Sequence, residues 1–379
     1  MKLFYIANAR MPSEKAHGIQ IAKMCEAFLD EGIDLTLVVP KRKNTDKTVQ
    51  EFYGLRQPVP MVRLAALDWY DQGRIGYGLS TISFMISYSL YLLRHAKKEK
   101  CVVYTVDLDH IAYAPLALLG IPFFSEMHGG KPDTLVHRAL FKKVKGVIAT
   151  NPITRAQLEE NFNMPAEHLL VEPNGVDFSM FKPQEREVAR AVLHLPTGMT
   201  LALYVGRFFD WKGLEILADV VKLLPPHITL GIIGGTPEEF TKITARDSKG
   251  IVFYGEKTYT EVPLWASAAD MLLVLGTKRD EQSYRYTSPM KVFEYMAMQR
   301  TIVASKTPAL ESILGQDECI FYEPDNVQSL AESITKAAGE PAEHSVRTGN
   351  AYRKAQHYSW SARAKRIHAF MNQQLSLTL

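Results

Sequence analysis

The stretch Ser288-Pro289-Met290-Lys291-Val292-Phe293-Glu294-Tyr295-Met296-Ala297-Met298 has the residue types of a helix start built to hold an anion. Ser288 suits the N-cap, where a hydroxyl accepts a free backbone N–H, and Pro289 suits the first helical position, where a missing N–H costs nothing. The remaining donors and the helix dipole then face whatever lies ahead of the helix. Met290, Phe293 and Ala297 fall on one face at helical spacing and should bury against a sheet, leaving Glu294 on another face. At 1.5 Å per residue, Glu294 stands roughly 7 Å along the axis from Pro289. A phosphate at the tip and a carboxylate further along suit the phosphates and ribose hydroxyls of one nucleotide. The same residues also describe an ordinary amphipathic helix whose glutamate is solvated.

Other residues with chemistry to offer follow strand-like runs. In Tyr204-Val205-Gly206-Arg207-Phe208-Phe209-Asp210-Trp211-Lys212-Gly213, Arg207 supplies a planar fork and Lys212 a point charge, a pair suited to two phosphates. In Ser125-Glu126-Met127-His128-Gly129-Gly130, His128 stands at the carboxyl end of a strand, where a histidine serves either chemistry or a loop hydrogen bond. Gly18, after His17 and before a helix from about Ile19 to Leu29, would let backbone approach a phosphate or sugar closely, although a plain turn is the commoner reason for a loop glycine. Asp107-Leu108-Asp109 is an Asp-x-Asp that could chelate a metal and a diphosphate, but Asp109 also suits a helix cap. No metal is expected.

Strand-like and helical runs alternate from end to end. Seven apolar, β-branched runs lie at Leu3 to Ala7, Asp34 to Val39, Met61 to Leu64, Val102 to Val106, Pro122 to Glu126, Gly146 to Thr150 and Leu169 to Val171. The pattern restarts at Leu201 to Val205, Ile228 to Ile233, Ile251 to Tyr254, Met271 to Leu275, Thr301 to Ser305 and Cys319 to Tyr322. Such alternation predicts an α/β protein with two doubly wound, mostly parallel sheets. The boundary falls where Glu172-Pro173-Asn174-Gly175-Val176-Asp177 and the run to Pro183 break the periodicity. Two such domains are expected to leave a cleft, with ligands beyond the carboxyl ends of the strands.

The composition is that of a globular protein: 379 residues, 46% hydrophobic and 22% charged, enough for two ordinary domains. A net charge of +3 is too mild and mixed for nucleic-acid binding. Basic runs at Lys41-Arg42-Lys43, Lys97-Lys98-Glu99-Lys100 and Lys142-Lys143-Val144-Lys145 read as solvated faces, or as a face for anionic lipid. Cys25, Cys101 and Cys319 are odd in number and far apart, which suggests a reducing cytoplasm. Met1 leads directly into a strand-like run without a signal-peptide pattern, so a cytoplasmic protein is expected. The apolar run Leu79 to Leu93 is shorter than the roughly 20 residues of a spanning helix, which predicts a buried or interfacial helix.

Taken in order, these motifs resemble the retaining glycosyltransferases of family 4, with the two-Rossmann-domain GT-B fold. The resemblance covers nearly the whole chain. It rests on His17-Gly18, Glu126-x-His128 with Gly129, Pro173-Asn174-Gly175-Val176-Asp177 leading to Phe181, Gly206-Arg207 with Lys212-Gly213, and Ser288-Pro289-x-Lys291-x-x-Glu294-Tyr295-Met296-Ala297. It implies an acceptor-binding domain over 1–178, completed by a returning helix over about 359–379 that begins near Trp360, and a nucleotide-sugar domain over 179–358. It further implies that Arg207 and Lys212 neutralise the diphosphate, that Ser288 and the backbone of Pro289 and Met290 bind it, and that Glu294 holds the ribose. Gly18 would approach the phosphates from the opposite side, His128 would contact the donor sugar, and Gly255-Glu256-Lys257 would lie beside the base. His128, Arg207, Lys212 and Glu294 are the implied catalytic set.

The donor is then a UDP- or GDP-sugar, with no cofactor. The acceptor is a glycan or lipid-linked hydroxyl for cell-surface synthesis, with peripheral membrane contact at the inner face of the plasma membrane. One departure stands out, since Tyr286 occupies the position eight residues before Glu294 where the family has a second glutamate. It keeps open a catalytically silent binding protein of the same fold. A sugar-nucleotide epimerase on a related scaffold is the other alternative.

Overall fold

The computed structural model describes residues 2–43, 45–96, 100–339 and 341–377. Lys97 to Glu99 of the second basic run, and the last two residues of the expected returning helix, lie outside the described residues. The chain divides into two compact units, one of Met1–Pro173 with Trp360–Leu379 and one of Asn174–Ser359.

In the first unit, seven parallel strands follow the apolar runs: β1 Lys2–Ile6, β2 Asp34–Pro40, β3 Met61–Leu64, β4 Cys101–Val106, β5 Phe123–Met127, β6 Gly146–Ala149 and β7 Leu169–Val171. Their order is β3-β2-β1-β4-β5-β6-β7. Residues of both strand faces are buried, as in β4, where all six positions are buried. That is why these segments read as continuous apolar runs rather than alternating ones. Phe4, Ile6, Val103, Phe123 and Val147 share one core with Phe84, Tyr88 and Leu92 of the helix Gly73–Ala96. That helix has 24 residues, longer than its apolar run, yet among the described residues no helix is long and apolar enough to cross a membrane. The segment Trp360–Ser376 forms a helix in this unit and packs on the first helix, Ala16–Asp30.

The second unit repeats the plan with β8 Thr200–Val205, β9 Ile228–Ile233, β10 Ile251–Phe253, β11 Met271–Val274, β12 Thr301–Ser305 and β13 Ile320–Tyr322. The order β10-β9-β8-β11-β12-β13 reverses between β8 and β11. In the first unit the corresponding reversal lies between β1 and β4. The carboxyl ends at such reversals open a crevice in this class of sheet. Arg207 follows β8, and Asp107 follows β4.

The loops at the carboxyl ends of β8, β9 and β10 are tied together by backbone. Gly206 N–H donates to Ile233 O at 2.9 Å, and Gly234 N–H to Gly255 O at 3.1 Å. Gly234 has φ +130°, and a Cβ there would lie 2.2 Å from the Gly206 carbonyl oxygen. Only glycine allows this approach, which supports Arg207 on a fixed base. Gly234→Ala is expected to destabilise the fold by at least about 1–3 kcal/mol from backbone strain alone. Urea unfolding checks this, and a midpoint equal to that of wild type contradicts it.

Candidate functional site

In the second unit the helix expected at Ser288 runs from Met290 to Ala297. Pro289, with extended backbone (ψ 127°), takes the cap position, and no side chain caps the helix. The expected roles of Ser288 as N-cap and Pro289 as first helical residue are therefore each displaced by one residue. The reason is a tertiary contact: the Ser288 carbonyl accepts from Asn174 Nδ2 at 2.7 Å, which holds the chain extended into the helix. The expectation of an amphipathic helix also fails. Val292, Tyr295 and Met296 are buried along with Met290, Phe293 and Ala297, and Glu294 is only 1% exposed.

This burial removes the reading of Glu294 as a solvated side chain. Glu294 Oε2 accepts from Lys291 Nζ at 2.7 Å, while its Oε1 is buried without a partner. Ser288 Oγ and Asn174 Oδ1 are buried and unpartnered as well. Unsatisfied buried polar atoms are costly and uncommon. Three of them around one helix start, where the first N–H groups also lack partners within the helix, mark a place built to receive a polar ligand.

Positive charge gathers beside it. Lys212 ends the short 3₁₀ turn Asp210–Lys212, held by Gly213 at φ +70°. Its Nζ donates to the Arg207 carbonyl at 2.9 Å and lies 4.9 Å from the Phe209 ring centre. Burial, and then the charges of Lys291 and Arg207, lower the Lys212 ammonium to about 8. Arg207, Lys212 and Lys291 thus form a mutually repelling cluster, and a dianionic group would relieve that repulsion. Lys291 was visible in the motif but carried no assigned role; its i,i+3 spacing to Glu294 is the signal that pairs them.

The other expected donor residues are placed as follows. Gly255, at φ +71°, faces open space on the side where a Cβ would stand, and its carbonyl accepts from Gly234. Lys257 on the same loop lies 5.2 Å from the Trp265 ring centre. Tyr286 ends a π-helical turn, Gln282–Tyr286, that leads into Ser288, and its hydroxyl donates to Glu281 Oε1 at 3.4 Å.

In the first unit His128 joins a buried network centred on Glu126. Glu126 accepts from His128 Nε2 at 2.7 Å, Gln20 Nε2 at 2.9 Å, the Tyr104 hydroxyl at 2.8 Å and Arg363 Nη2 at 2.8 Å. Glu126 and Arg363 are fully buried, whereas the His128 side chain is 23% exposed. Burial pushes the Glu126 carboxyl up, but the Arg363 charge and then the His128 hydrogen bond and charge hold it down to about 2. Burial pulls the His128 imidazole down, and the Glu126 hydrogen bond and charge, joined by Asp107, leave it raised above its usual value.

Asp107 stands at φ 48°, a left-handed conformation uncommon outside glycine and asparagine-like residues. Its Oδ1 accepts from His128 N at 3.0 Å and from Lys131 Nζ at 3.4 Å. Asp109 instead accepts from the Tyr77 hydroxyl at 2.6 Å. The two aspartates of the Asp-x-Asp are thus committed to different partners. Among the described residues no group of three or more His, Cys, Asp or Glu is placed to hold a metal ion.

The first helix begins at Ala16 rather than near Ile19, so His17 and Gly18 lie in its first turn, and the exposed His17 stands near Asp107 and His128. Gly18 also meets a packing demand: a Cβ there would lie 2.3 Å from the Tyr53 hydroxyl and 3.0 Å from the Ser13 carbonyl.

Comparison with known proteins agrees with this fold. Residues 18–179 match the model "Glycosyltransferase Family 4", and residues 200–339 match "Glycosyl transferases group 1". A Bacillus subtilis (strain 168) glycosyltransferase assigned to teichuronic acid biosynthesis is 23% identical, over 89% of this chain and 89% of that protein. A D-inositol 3-phosphate glycosyltransferase of Arthrobacter sp. (strain FB24) is 25% identical over 58% of this chain, and the match spans about half of that relative, 53%. Among solved structures, sucrose-phosphate synthase from Thermosynechococcus elongatus superposes with a TM-score of 0.79 at 18% identity, covering 99% of each chain. Anabaena Alr3699/HepE, solved in complex with UDP and glucose, gives a TM-score of 0.75 at 16% identity over 98% of this chain and 100% of that one. With one glycosyltransferase model matched over each parallel-sheet unit, this chain is a glycosyltransferase of the GT-B fold.

Proposed function

We propose that this chain transfers a sugar from a nucleoside-diphosphate sugar, UDP- or GDP-linked, to an acceptor hydroxyl, with retention at the anomeric carbon. The observation that carries the proposal is the cationic cluster Arg207, Lys212 and Lys291 beside the buried Glu294, whose free oxygen awaits a donor hydroxyl. In this reading the cluster and the N–H groups at Met290 hold the diphosphate, Ser288 adds its hydroxyl, and Glu294 accepts from the ribose. Gly255 and Lys257 flank the base, and Tyr286 takes one sugar hydroxyl. As the sugar–phosphate bond breaks toward an oxocarbenium-like state, negative charge grows on the leaving diphosphate, where preorganised cations stabilise it. The leaving phosphate then accepts the proton of the attacking hydroxyl. These protein cations do the neutralising work, so the reaction is assigned to proceed without metal or cofactor.

In the first unit, His128 is assigned to the donor sugar, oriented by Glu126 and Asp107. The acceptor is assigned to this unit, as a glycan or lipid-linked saccharide handled in the cytoplasm or at the inner face of the plasma membrane. Relatives named for teichuronic acid and lipopolysaccharide synthesis support a cell-surface acceptor.

A thermal-shift panel of UDP, GDP, ADP and CMP with their sugar conjugates tests the donor site. A ligand at about a hundred times its dissociation constant stabilises the fold by roughly 2.7 kcal/mol. One nucleotide family is expected to raise the melting temperature of wild type but not of Glu294→Ala. A panel with no shift, or with equal shifts in both proteins, overturns the assignment.

A further inference from the structure

The helix Gly73–Ala96 carries its apolar residues in an unusual arrangement. Ile75, Leu79, Ile82, Ile86, Leu90 and Leu93, spaced four, three, four, four and three residues apart, are each 41 to 80% exposed. At this spacing they form one stripe along the solvent face, roughly 27 Å long. Serines flank the stripe on one side: Ser80 and Ser83 accept from the N–H groups of Trp69 and Leu67, and Ser87 donates to the Ala65 carbonyl. These bonds lay the segment 65–69 along the helix and add Leu67 (41% exposed) and Trp69 (44%) to the apolar face. Soluble surfaces rarely expose contiguous apolar patches of this extent without a partner.

The charges around the stripe are of one kind on the helix itself. No charged residue lies between Arg74 and Arg94, both exposed, and the helix contains no acidic residue. Lys43 N–H donates to Asp68 Oδ2 at 2.7 Å, and the Arg42 guanidinium lies 4.2 Å from the Tyr70 ring centre. The exposed Lys41 and Lys43 are thereby fixed next to Leu67 and Trp69. Asp68 and the exposed Asp71 are the acidic groups of this neighbouring segment.

We propose that this face seats the chain on an anionic lipid surface, with the stripe and Trp69 entering the headgroup boundary and Arg74, Arg94, Lys41 and Lys43 meeting the phosphates. An apolar face with a cationic border and an interfacial tryptophan is the pattern of helices that lie in a membrane interface. A second copy of this chain fits less well. Antiparallel pairing centred on the stripe sets Arg74 against Arg94 with no acidic residue on the helix to compensate, and parallel pairing sets each arginine against itself. A stripe roughly 27 Å by 10 Å also offers on the order of 300 Å² per copy, well short of the roughly 800 Å² per partner of a stable interface.

This proposal uses none of the donor-site residues, so it stands or falls separately from them. The test is sedimentation of the full chain with vesicles of phosphatidylcholine alone and of phosphatidylcholine mixed with phosphatidylglycerol. Wild type is expected to bind the anionic vesicles at least about tenfold more strongly than the neutral ones, and high salt should weaken that binding. Ile82→Ser/Ile86→Ser/Leu90→Ser should lose binding, and Arg74→Gln/Arg94→Gln should lose the preference for phosphatidylglycerol. Both variants should keep a cooperative melting transition at the wild-type temperature, which shows that they are folded whether or not a nucleotide shifts it. Wild type that stays in solution with either vesicle, a triple variant that binds as wild type does, or equal binding to neutral and anionic vesicles overturns the proposal. So does a dimer in solution that the triple variant dissociates.

Discussion

Arg363→Met is expected to destabilise the first unit by about 3–5 kcal/mol, because it leaves the Glu126 carboxylate buried without its main counter-charge. Arg363 lies on the helix Trp360–Ser376, yet its guanidinium also donates to the carbonyls of Pro173 and Glu172, at 2.6 and 3.1 Å. It therefore ties the end of the chain to the end of β7 and to β5 at once. The double variant Glu126→Gln/Arg363→Met should recover a large part of the loss, since no buried charge is then left over. Equilibrium unfolding of Arg363→Met, Glu126→Gln and the double variant checks this, and additive losses would show that no such pairing energy exists. The pH dependence has a definite sign. A carboxylate held at about 2, against roughly 4.3 when unfolded, contributes stability that is fully present above the unfolded value. That stability is lost as pH falls from about 4.3 toward 2. Glu126→Gln should be less acid-sensitive in that window. It should also lower the His128 titration measured by NMR, because the partner that raises it is gone.

This network was not legible in the sequence, although the sheets were. Most of the described strands are local runs rich in apolar residues, and burial on both faces, as along β4 and β12, leaves that mark whatever the rest of the chain does. The Glu126–Arg363 pair joins residues 237 apart, and nothing near Arg363 distinguishes it from a surface charge. The packing demand on Gly18 was hidden for a similar reason, since the hydroxyl beside its missing Cβ belongs to Tyr53 in a different helix. Ser288 shows the same limit at short range. Its sequence suited a cap, but the hydrogen bond from Asn174 to its carbonyl extended the backbone and moved the cap to Pro289. Arg207, Lys212 and Glu294 could be located because they stand at fixed distances from strand ends and helix starts. Glu294's burial could not be read, because its cause is packing on all sides of the helix.

Arg207→Ala and Lys212→Ala should each reduce turnover by on the order of a hundredfold, if removal of one preorganised donor to an oxyanion is a fair guide. The two changes should differ in pH dependence. Lys212 titrates at about 8 in the free protein, so its charge is present below that pH and lost above it. Diphosphate binding should therefore weaken above pH 8 by as much as about tenfold per pH unit, and Lys212→Arg should abolish this limb because arginine stays charged. Stability of the free protein responds in the opposite direction. Between about 8 and the unfolded value near 10.4, the unfolded lysine holds more proton than the folded one. This group alone therefore makes the fold more stable as pH rises. Arg207→Ala should keep the limb but move it to higher pH, because one of the charges that lower Lys212 is gone, while lowering turnover. Steady-state rates with the donor found in the thermal-shift panel, with nucleotide dissociation constants measured across pH 7 to 10, separate these outcomes. Near-normal turnover in folded Lys212→Ala, or a binding curve flat through pH 8, would remove Lys212 from the leaving group and with it the central electrostatic step of the proposed transfer.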